Sequence, residues 1–349
     1  MKKLYIKKKY KAWHDNRSKK IALQKSKVRL YFKFRYKIPI NRNHKSEYII
    51  KDEVLAPENL CVLEDTEKCL EFFRNLRRPE NINKIGRICF VKMSLKKVLK
   101  FDYSTICILI AIIGDLKSQS IYLRTNYPDN KDCKDYMTES GLLNVLYDEF
   151  GKPFKKSEKS ELLFIEKGTK KLTTKDNIRI SNTVKKVVKH LTGKNEYHKK
   201  LRTILLEICG NSIEWGGTLN KQWLLGIKFD ENKVVFTITD VGNGILRTLN
   251  KKFRQQLNEV FLKNSDTEIL KGAFVKKYGS TSKNVNRNKG LPAIKSGFDD
   301  GLLKNLKVLT NNVILHFDNG NDSKSINKKI EFKGTLYRWV ITKESLKVA

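Results

Sequence analysis

The sequence of 349 residues contains no long apolar run and no recognisable secretory signal. Its longest apolar stretch, from Ile106 to Ile113, has eight residues, whereas a helix that spans a bilayer needs about 20. The basic N-terminus is not followed by the apolar segment that secretory signals contain. We therefore expect a cytoplasmic protein with no membrane-spanning segment.

Several common catalytic and metal-binding patterns are also missing. The six cysteines form no CxxC pair, and the five histidines show no metal-site spacing with each other or with the cysteines. Most of the cysteines lie inside apolar runs, where a reduced and buried thiol is expected. The sequence contains neither a GxSxG nor a Walker A motif, which argues against a serine hydrolase and a P-loop enzyme.

Positive charge, by contrast, is abundant. The chain has 72 Lys and Arg against 37 Asp and Glu, and residues 1–46 hold 17 of these bases with the single acid Asp15. Between Tyr31 and Lys37 aromatic rings alternate with bases, as in arms that neutralise phosphates and stack on nucleic-acid bases. An amphipathic strand in a lysine-rich protein gives the same pattern, so a nucleic-acid contact through residues 1–46 is one of two interpretations.

Length and patterning predict an α/β (α+β) protein with two domains, because single cores stop growing near 250–300 residues. We expect a basic arm over 1–46, an α/β domain over 47–150, a Lys/Ser-rich linker over 151–169 and a second domain over 170–349. In the first domain, Thr66 is a plausible helix N-cap. The run from Ile106 to Ile113 predicts a buried helix that ends at Gly114.

The first domain has the order of a strand, the segment Phe101 to Thr105, a buried helix, a second strand and the segment Tyr136 to Leu142. In this order it resembles the STAS domains of anti-sigma-factor antagonists. It implies a phospho-acceptor hydroxyl at Ser104 or Thr105. A helix-capping role explains either hydroxyl equally well.

The second domain contains a helix with a polar stripe. Residues 198–215 place four apolar side chains on one side, while Glu207, Asn211 and Glu214 fall within about 60° of each other on the opposite side. A carboxylate and an amide one turn apart can polarise a nucleophile and ligate Mg²⁺. The ExxxN pattern alone is also typical of an ordinary solvated helix face.

Three further motifs follow in order along the second domain. A strand over 234–239 leads into Asp240-Val241-Gly242-Asn243-Gly244, where glycines permit close backbone approach or positive φ. A Ser/Thr-rich loop then feeds a helix that Gly290 and Leu291 open, and such a helix N-terminus attracts phosphate. The last motif, Gly334-Thr335, lies on a closing strand over 332–341.

This order of motifs resembles the GHKL ATPases, which include gyrase B, heat-shock chaperone ATPases, MutL proteins, histidine kinases and anti-sigma-factor kinases. The resemblance covers about residues 170–345. It implies a GHKL (Bergerat) α/β sandwich with helices on one face of a mixed sheet, and it implies ATP and Mg²⁺ as ligands. The histidine-kinase branch does not fit, because no acceptor helix carries His190 or His198.

The resemblance also implies a role for each motif residue. Glu207 would be the general base, Asn211 would hold Mg²⁺, and Asp240 would accept the adenine amine. Residues 246–289 would form the ATP lid, with Lys283, Arg287 and Lys289 as candidate phosphate contacts. The remaining ATP-binding positions would be Gly242, Gly244, Gly290, Leu291 and Thr335.

One departure from the family pattern bears on turnover. Asn288 and Pro292 stand where the second glycine motif usually carries glycine, which predicts secure ATP binding with slow hydrolysis. We expect a regulatory ATPase that acts as a conformational switch, with a protein partner or a homodimer. The alternatives are a protein Ser/Thr kinase or partner-binding regulator of the anti-sigma kind, and a nucleic-acid-associated ATPase that uses the basic arm.

Overall fold

A computed structural model of the chain describes residues 48–155, 163–168, 172–215, 222–250, 264–275 and 290–347. The basic arm over 1–46 lies outside the described residues. So do the lid residues Lys283, Arg287 and Lys289. The described chain is a mixed α/β structure in which a five-stranded sheet, a seven-stranded sheet, a separate two-stranded sheet and seven named helices are packed together.

The first half of the chain builds a small mixed sheet. Strand β5 pairs in parallel with β2 and β7 and antiparallel with β4, which in turn pairs with β1, while β3 and β6 form a separate parallel pair. The strands are β1 (Tyr48–Ile49), β2 (Val54–Leu55), β3 (Asn59–Leu60), β4 (Asn83–Ile85), β5 (Ile88–Ser94), β6 (Lys100–Phe101) and β7 (Ile121–Thr125).

Three helices accompany this sheet: α1 (Thr66–Leu76), α2 (Tyr103–Ser118) and α3 (Lys131–Glu139). The sequence predicts Thr66 as the N-cap of α1, but the helix begins at Thr66 and Asp65 occupies the cap position. The Thr66 side chain is buried, so it faces the core instead of the helix end.

Helix α2 confirms the buried helix predicted over Ile106 to Ile113, but it does not end at Gly114. It continues to Ser118, and a Cβ at Gly114 would lie 2.6 Å from Oε1 of Gln222. Gly114 therefore permits a close approach to the second half of the chain, at the modest cost that a glycine imposes on a helix interior. Among the described residues, no helix is long and apolar enough to span a membrane.

The second half builds a seven-stranded sheet in the order β13-β12-β11-β14-β10-β9-β8. Every pairing in it is antiparallel, so the mixed sheet expected for this half is wrong. The strands are β8 (Leu163–Gly168), β9 (Trp223–Asp230), β10 (Lys233–Asp240), β11 (Lys304–Asn311), β12 (Val313–His316), β13 (Lys324–Ser325) and β14 (Phe332–Thr342).

Strand β8 lies inside the segment 151–169, which the sequence predicts as a linker. The Lys/Ser-rich composition of that segment favours a loop, but a short apolar run from Leu163 to Ile165 gives it a strand that pairs with β9. The edge of the larger sheet is therefore built from residues that composition alone assigns to a connection.

The helices of the second half of the chain cover one face of the larger sheet. They are α4 (Thr174–Thr192), α5 (Lys199–Trp215), α6 (Asp266–Phe274) and α7 (Gly290–Asp299), and residues 245–250 are also helical. Side chains such as Ile204 and Ile208 of α5 pack in one core with Phe236 and Trp339 of the sheet, whose rings stack 5.0 Å apart. This core fixes the helix that carries Glu207 and Asn211 against the sheet.

Helix α2 covers the opposite face of the same sheet. Leu224, Leu309 and Leu336 point into the core that contains α2, whereas their sequence neighbours point into the core of α4 and α5. A Cβ at Gly226 of β9 would lie 2.3 Å from Sγ of Cys107, so the backbone of β9 approaches α2 closely. The two halves of the chain thus share one core.

Candidate functional site

The candidate site lies where β10 ends and β14 begins. Asp240 is the last residue of β10 and pairs directly with Thr335 of β14, and both residues are buried. A Cβ at Gly334 would lie 2.1 Å from the carbonyl oxygen of Asp240. Only glycine fits at this position without a shift of the backbone, so the Gly-Thr motif is what lets the two strands meet here.

The carboxyl group of Asp240 has an unusual environment. Burial raises its pKa to about 6, while hydrogen bonds from the Gly242 amide and the Ser212 side chain, the charge of Arg77 and a backbone hydrogen bond from Thr335 oppose that rise. The Gly242 amide donates to Oδ1 at 2.9 Å. The carboxyl is thus mostly ionised at neutral pH, although its pKa lies only about one unit below that pH.

Two neighbouring residues on β11 hold the turn that follows Asp240. The Thr310 hydroxyl accepts from the Ile245 amide at 2.9 Å and donates to the Gly334 carbonyl at 3.0 Å. The Asn311 amide group donates to the carbonyl of Asn243 at 2.9 Å and accepts from the amide of Leu246. These contacts fix the turn in one conformation.

Gly244 makes this arrangement sterically possible. Its φ is +77°, and a Cβ there would lie 2.5 Å from Oδ1 of Asn311. The predicted need for glycine in this turn therefore has two causes, the backbone conformation and the close approach of Asn311.

Helices α5 and α7 meet beside the same strand ends. A Cβ at Gly290 would lie 2.4 Å from Nδ2 of Asn211, so the first residue of α7 contacts the Asn211 side chain directly. Ser212, the next residue on α5, hydrogen-bonds to Asp240. The structure thus brings together Asn211, Asp240 and Gly290, which the sequence predicts as one site although they are far apart along the chain.

The other predicted positions are arranged around these three. Glu207 lies one turn before Asn211 on α5 and is half-buried, and Leu291 follows Gly290 in the first turn of α7. Glu214 belongs to the same helix, but its side chain is outside the described residues, as is Lys289. Of the lid predicted over 246–289, the structure describes 246–250 and 264–275, which include α6.

Sequence reasoning missed Thr310, Asn311 and Ser212. The first two form a polar pair at the end of the strand, directly after the apolar residues Val308 and Leu309, and both are buried. Polar side chains at the end of a buried strand are a usable signal, since they must find hydrogen-bond partners. Ser212 has no such signal, because it stands next to Asn211 in a helix with many polar neighbours.

The predicted roles for Ser104 and Thr105 are also resolved in part. Both side chains are buried, and the cap of α2 is Asp102, whose carboxylate accepts from the Thr105 amide at 2.8 Å. The Thr105 hydroxyl instead accepts from the Val62 amide at 2.9 Å. The capping role is therefore wrong for both hydroxyls, and neither is accessible to a kinase while α2 stays in place.

The cysteines and acidic residues add no second site of a familiar kind. All six cysteines are free, and all but the half-buried Cys89 are buried, as expected. Within the described ranges, no group of three or more His, Cys, Asp or Glu side chains could hold a metal ion.

Comparisons with known proteins do not add a relative. No protein-family model matches the sequence, and no curated protein matches it. The geometry around Asp240, Asn211 and Gly290 is therefore the basis on which a function can be argued.

Proposed function

We propose that this protein is a Mg-ATP-binding ATPase of the GHKL type that works as a slow regulatory switch. One observation carries the proposal: a buried carboxylate, Asp240, lies between a glycine turn and Thr335, and the Asn211 side chain contacts the start of α7 beside it. This combination offers an acceptor for an exocyclic amine at one end and a phosphate-attracting helix N-terminus at the other.

The adenine end of the site fits its proposed role. Asp240 is mostly ionised at neutral pH, so its free lone pairs can accept a hydrogen bond from the adenine amine. Gly242 and Gly244 carry no side chain that would stand between the ring and the backbone. Thr310 and Asn311 hold the turn in place, which lowers the ordering cost of binding.

The phosphate end depends on α5 and α7. The Asn211 carbonyl oxygen is a suitable Mg²⁺ ligand, and Mg²⁺ would offset the charge of the phosphates when bound. Glu207, one turn away on α5, would accept a proton from the attacking water. Pro292, the third residue of α7, supplies no amide hydrogen, which leaves one fewer donor for phosphate and supports slow turnover.

Two substitutions test this proposal together. We expect Glu207→Gln to retain ATP binding and to lose phosphate release by about 10²-fold or more, since general-base catalysis contributes about 10²–10⁴-fold. Asp240→Asn should weaken ATP binding, because an amide presents one acceptor and two donors where the carboxylate only accepts. Isothermal titration calorimetry and a phosphate-release assay with Mg²⁺ measure the two effects.

The matched control is Glu196→Gln, an exposed glutamate outside the site, which should change neither quantity. Unchanged hydrolysis in Glu207→Gln would contradict the base assignment. Absence of ATP binding in the wild type would contradict the proposal as a whole. Transfer of the γ-phosphate to a protein, detected with radiolabelled ATP, would favour the kinase alternative over hydrolysis.

A further inference from the structure

A second concave site lies on the other side of the larger sheet, between the two halves of the chain. It is a cleft of about 310 Å³ between α1, the residues that follow it, α2 and the start of β14. We call it the arginine cleft, because Arg74, Arg77 and Arg78 line it together with Lys333. No motif of the proposed ATP site contributes to this lining.

The charge of the arginine cleft is only partly balanced. Of its two acidic lining residues, Glu331 already forms an ion pair with Arg247 outside the lining. Glu80 is the other acidic residue. Within the described ranges, the side chain of Arg78 has neither an ion-pair nor a hydrogen-bond partner. Arg74 and Arg77 form ion pairs with Glu71 and Asp115, so Arg78 is the source of unbalanced positive charge in the cleft.

In two of the arginines the Nε–H group is buried and has no hydrogen-bond acceptor among the described residues. Nε of Arg74 and Nε of Arg77 are buried, and neither donates a hydrogen bond. The Arg77 side chain is only 10% exposed; one terminal nitrogen donates to Asp115 at 3.0 Å and to the Val241 carbonyl at 2.9 Å, and the other donates to the Lys333 carbonyl at 3.3 Å. A buried N–H without an acceptor is unfavourable, but these two Nε atoms are too buried to meet a ligand in the cleft, so the exposed Arg78 is the arginine that an anion would contact first.

The remaining wall is apolar. Leu70, Phe73, Ile112 and Phe332 line the cleft and belong to the core that surrounds α2. A volume of about 310 Å³ lies at the lower end of the range for small-molecule sites, about 300–1,000 Å³. The site is thus too small for a folded partner and suits a compact ligand with one charged and one apolar end.

We propose that the arginine cleft binds a small organic anion, with a phosphate or carboxylate group held by the arginines and an apolar or aromatic body against Phe73 and Phe332. The proposal is independent of the ATP site, since it uses none of its residues. Arg77 links the two places, because its guanidinium donates to the carbonyl of Val241 in the turn after Asp240.

The test uses the full chain and two simple probes, phenyl phosphate and benzoate, with binding followed by ligand-observed NMR titration. We expect saturable binding of at least one probe, and we expect Arg78→Gln and Arg74→Gln each to weaken it by about tenfold, the effect of losing one charge-assisted contact. Benzyl alcohol, which has no charge, should bind at least tenfold more weakly than the bound probe.

Two control variants and the wild-type titration make the result decisive. Arg87→Gln changes an exposed arginine on the turn between β4 and β5 and should leave the affinity unchanged. Equal weakening by Arg87→Gln would show attraction to net charge alone and overturn the proposal. Probe binding that is lost in Asp240→Asn would place the probe in the ATP site and also overturn it. Lack of saturable binding of either probe to the wild type would have the same meaning.

Discussion

At the scale of single residues, Asp240 is held in the site by several contacts of its side chain. Its carboxyl is buried and accepts hydrogen bonds from the Gly242 amide and the Ser212 side chain. The residue itself ends strand β10 opposite Thr335. Burial of a charge that is only partly compensated is costly, and proteins usually retain such a group for a function. The raised pKa also has a consequence for stability that can be measured without any ligand.

We expect the free energy of unfolding to fall as the pH rises through the folded-state pKa of Asp240, about 6. Below about pH 4 the carboxyl is protonated in both the folded and the unfolded state, so the folded state holds no buried charge there and its stability is not reduced. Above pH 6 the folded state must hold the buried charge. Asp240→Asn has no carboxyl that can ionise, so its unfolding free energy should not fall in this way. Between pH 4 and pH 8, the unfolding free energy of the variant, measured with urea, should rise by about 2–3 kcal/mol relative to that of the wild type.

The control for that experiment is Asp300→Asn. Asp300 is exposed, and hydrogen bonding to Lys200 lowers its pKa, so its contribution has the opposite sign: it is lost as the pH falls. A difference in unfolding free energy between Asp240→Asn and the wild type that stays constant across this pH range would show that the carboxyl is not buried in the way described.

At the scale of elements, α2 explains an unusual feature of the sequence. An amphipathic helix has one apolar face, but the run from Ile106 to Ile113 is apolar on all sides. The helix packs against the small sheet on one side and against β9 and β10 on the other, so nearly every side chain is buried. Close packing of this kind demands small groups at the points of nearest approach.

Gly226 is one of those points, and its substitution tests the packing of α2. Gly226→Ala should cost about 1–3 kcal/mol of unfolding free energy, because the new Cβ would lie 2.3 Å from Sγ of Cys107. Cys107→Ala in the same chain should recover part of that loss, since it removes the clashing sulfur. Chemical denaturation of the two single variants and the double variant measures the coupling.

The matched control replaces a glycine with open space. A Cβ at Gly210 would meet its nearest atom, Cδ1 of Leu172, at 4.0 Å, so Gly210→Ala should stabilise α5 by up to about 1 kcal/mol. Additive effects of Gly226→Ala and Cys107→Ala would mean that α2 does not contact β9 as the structure has it.

At the scale of the whole molecule, the two halves of the chain form one structure. Helix α2 from the first half covers a face of the larger sheet, and Arg77 reaches from the end of α1 to the carbonyl of Val241. The first half therefore supports the turn beside Asp240. The positive charge is concentrated in one part of the sequence, since nearly half of the net charge of +35 belongs to residues 1–46.

That charge asymmetry gives the nucleic-acid alternative a direct test. If the arm contacts single-stranded nucleic acid, removal of residues 1–46 should weaken binding to an oligonucleotide and flatten its salt dependence. Each lost phosphate contact would contribute about 0.7 to the slope of log K against log salt. Fluorescence anisotropy at several salt concentrations measures this change. An unchanged affinity and slope after the deletion would remove the alternative.

The sequence by itself determined most of the elements and the order of the site motifs. The helix with Glu207 and Asn211, the strand before Asp240 and the helix that Gly290 opens all follow from local patterns, since periodicity, caps and turn residues act over a few positions. The STAS and GHKL identities and the Mg-ATP chemistry rest on resemblance and stay predictions.

Only the tertiary structure decided how these elements are placed. The insertion of β14 between β10 and β11, the antiparallel pairing of the sheet, the strand at 163–168 and the contacts of Thr310, Asn311 and Arg77 join residues far apart in sequence. Such contacts leave little local trace, because they depend on which backbone groups and side chains lie opposite each other once the core has formed.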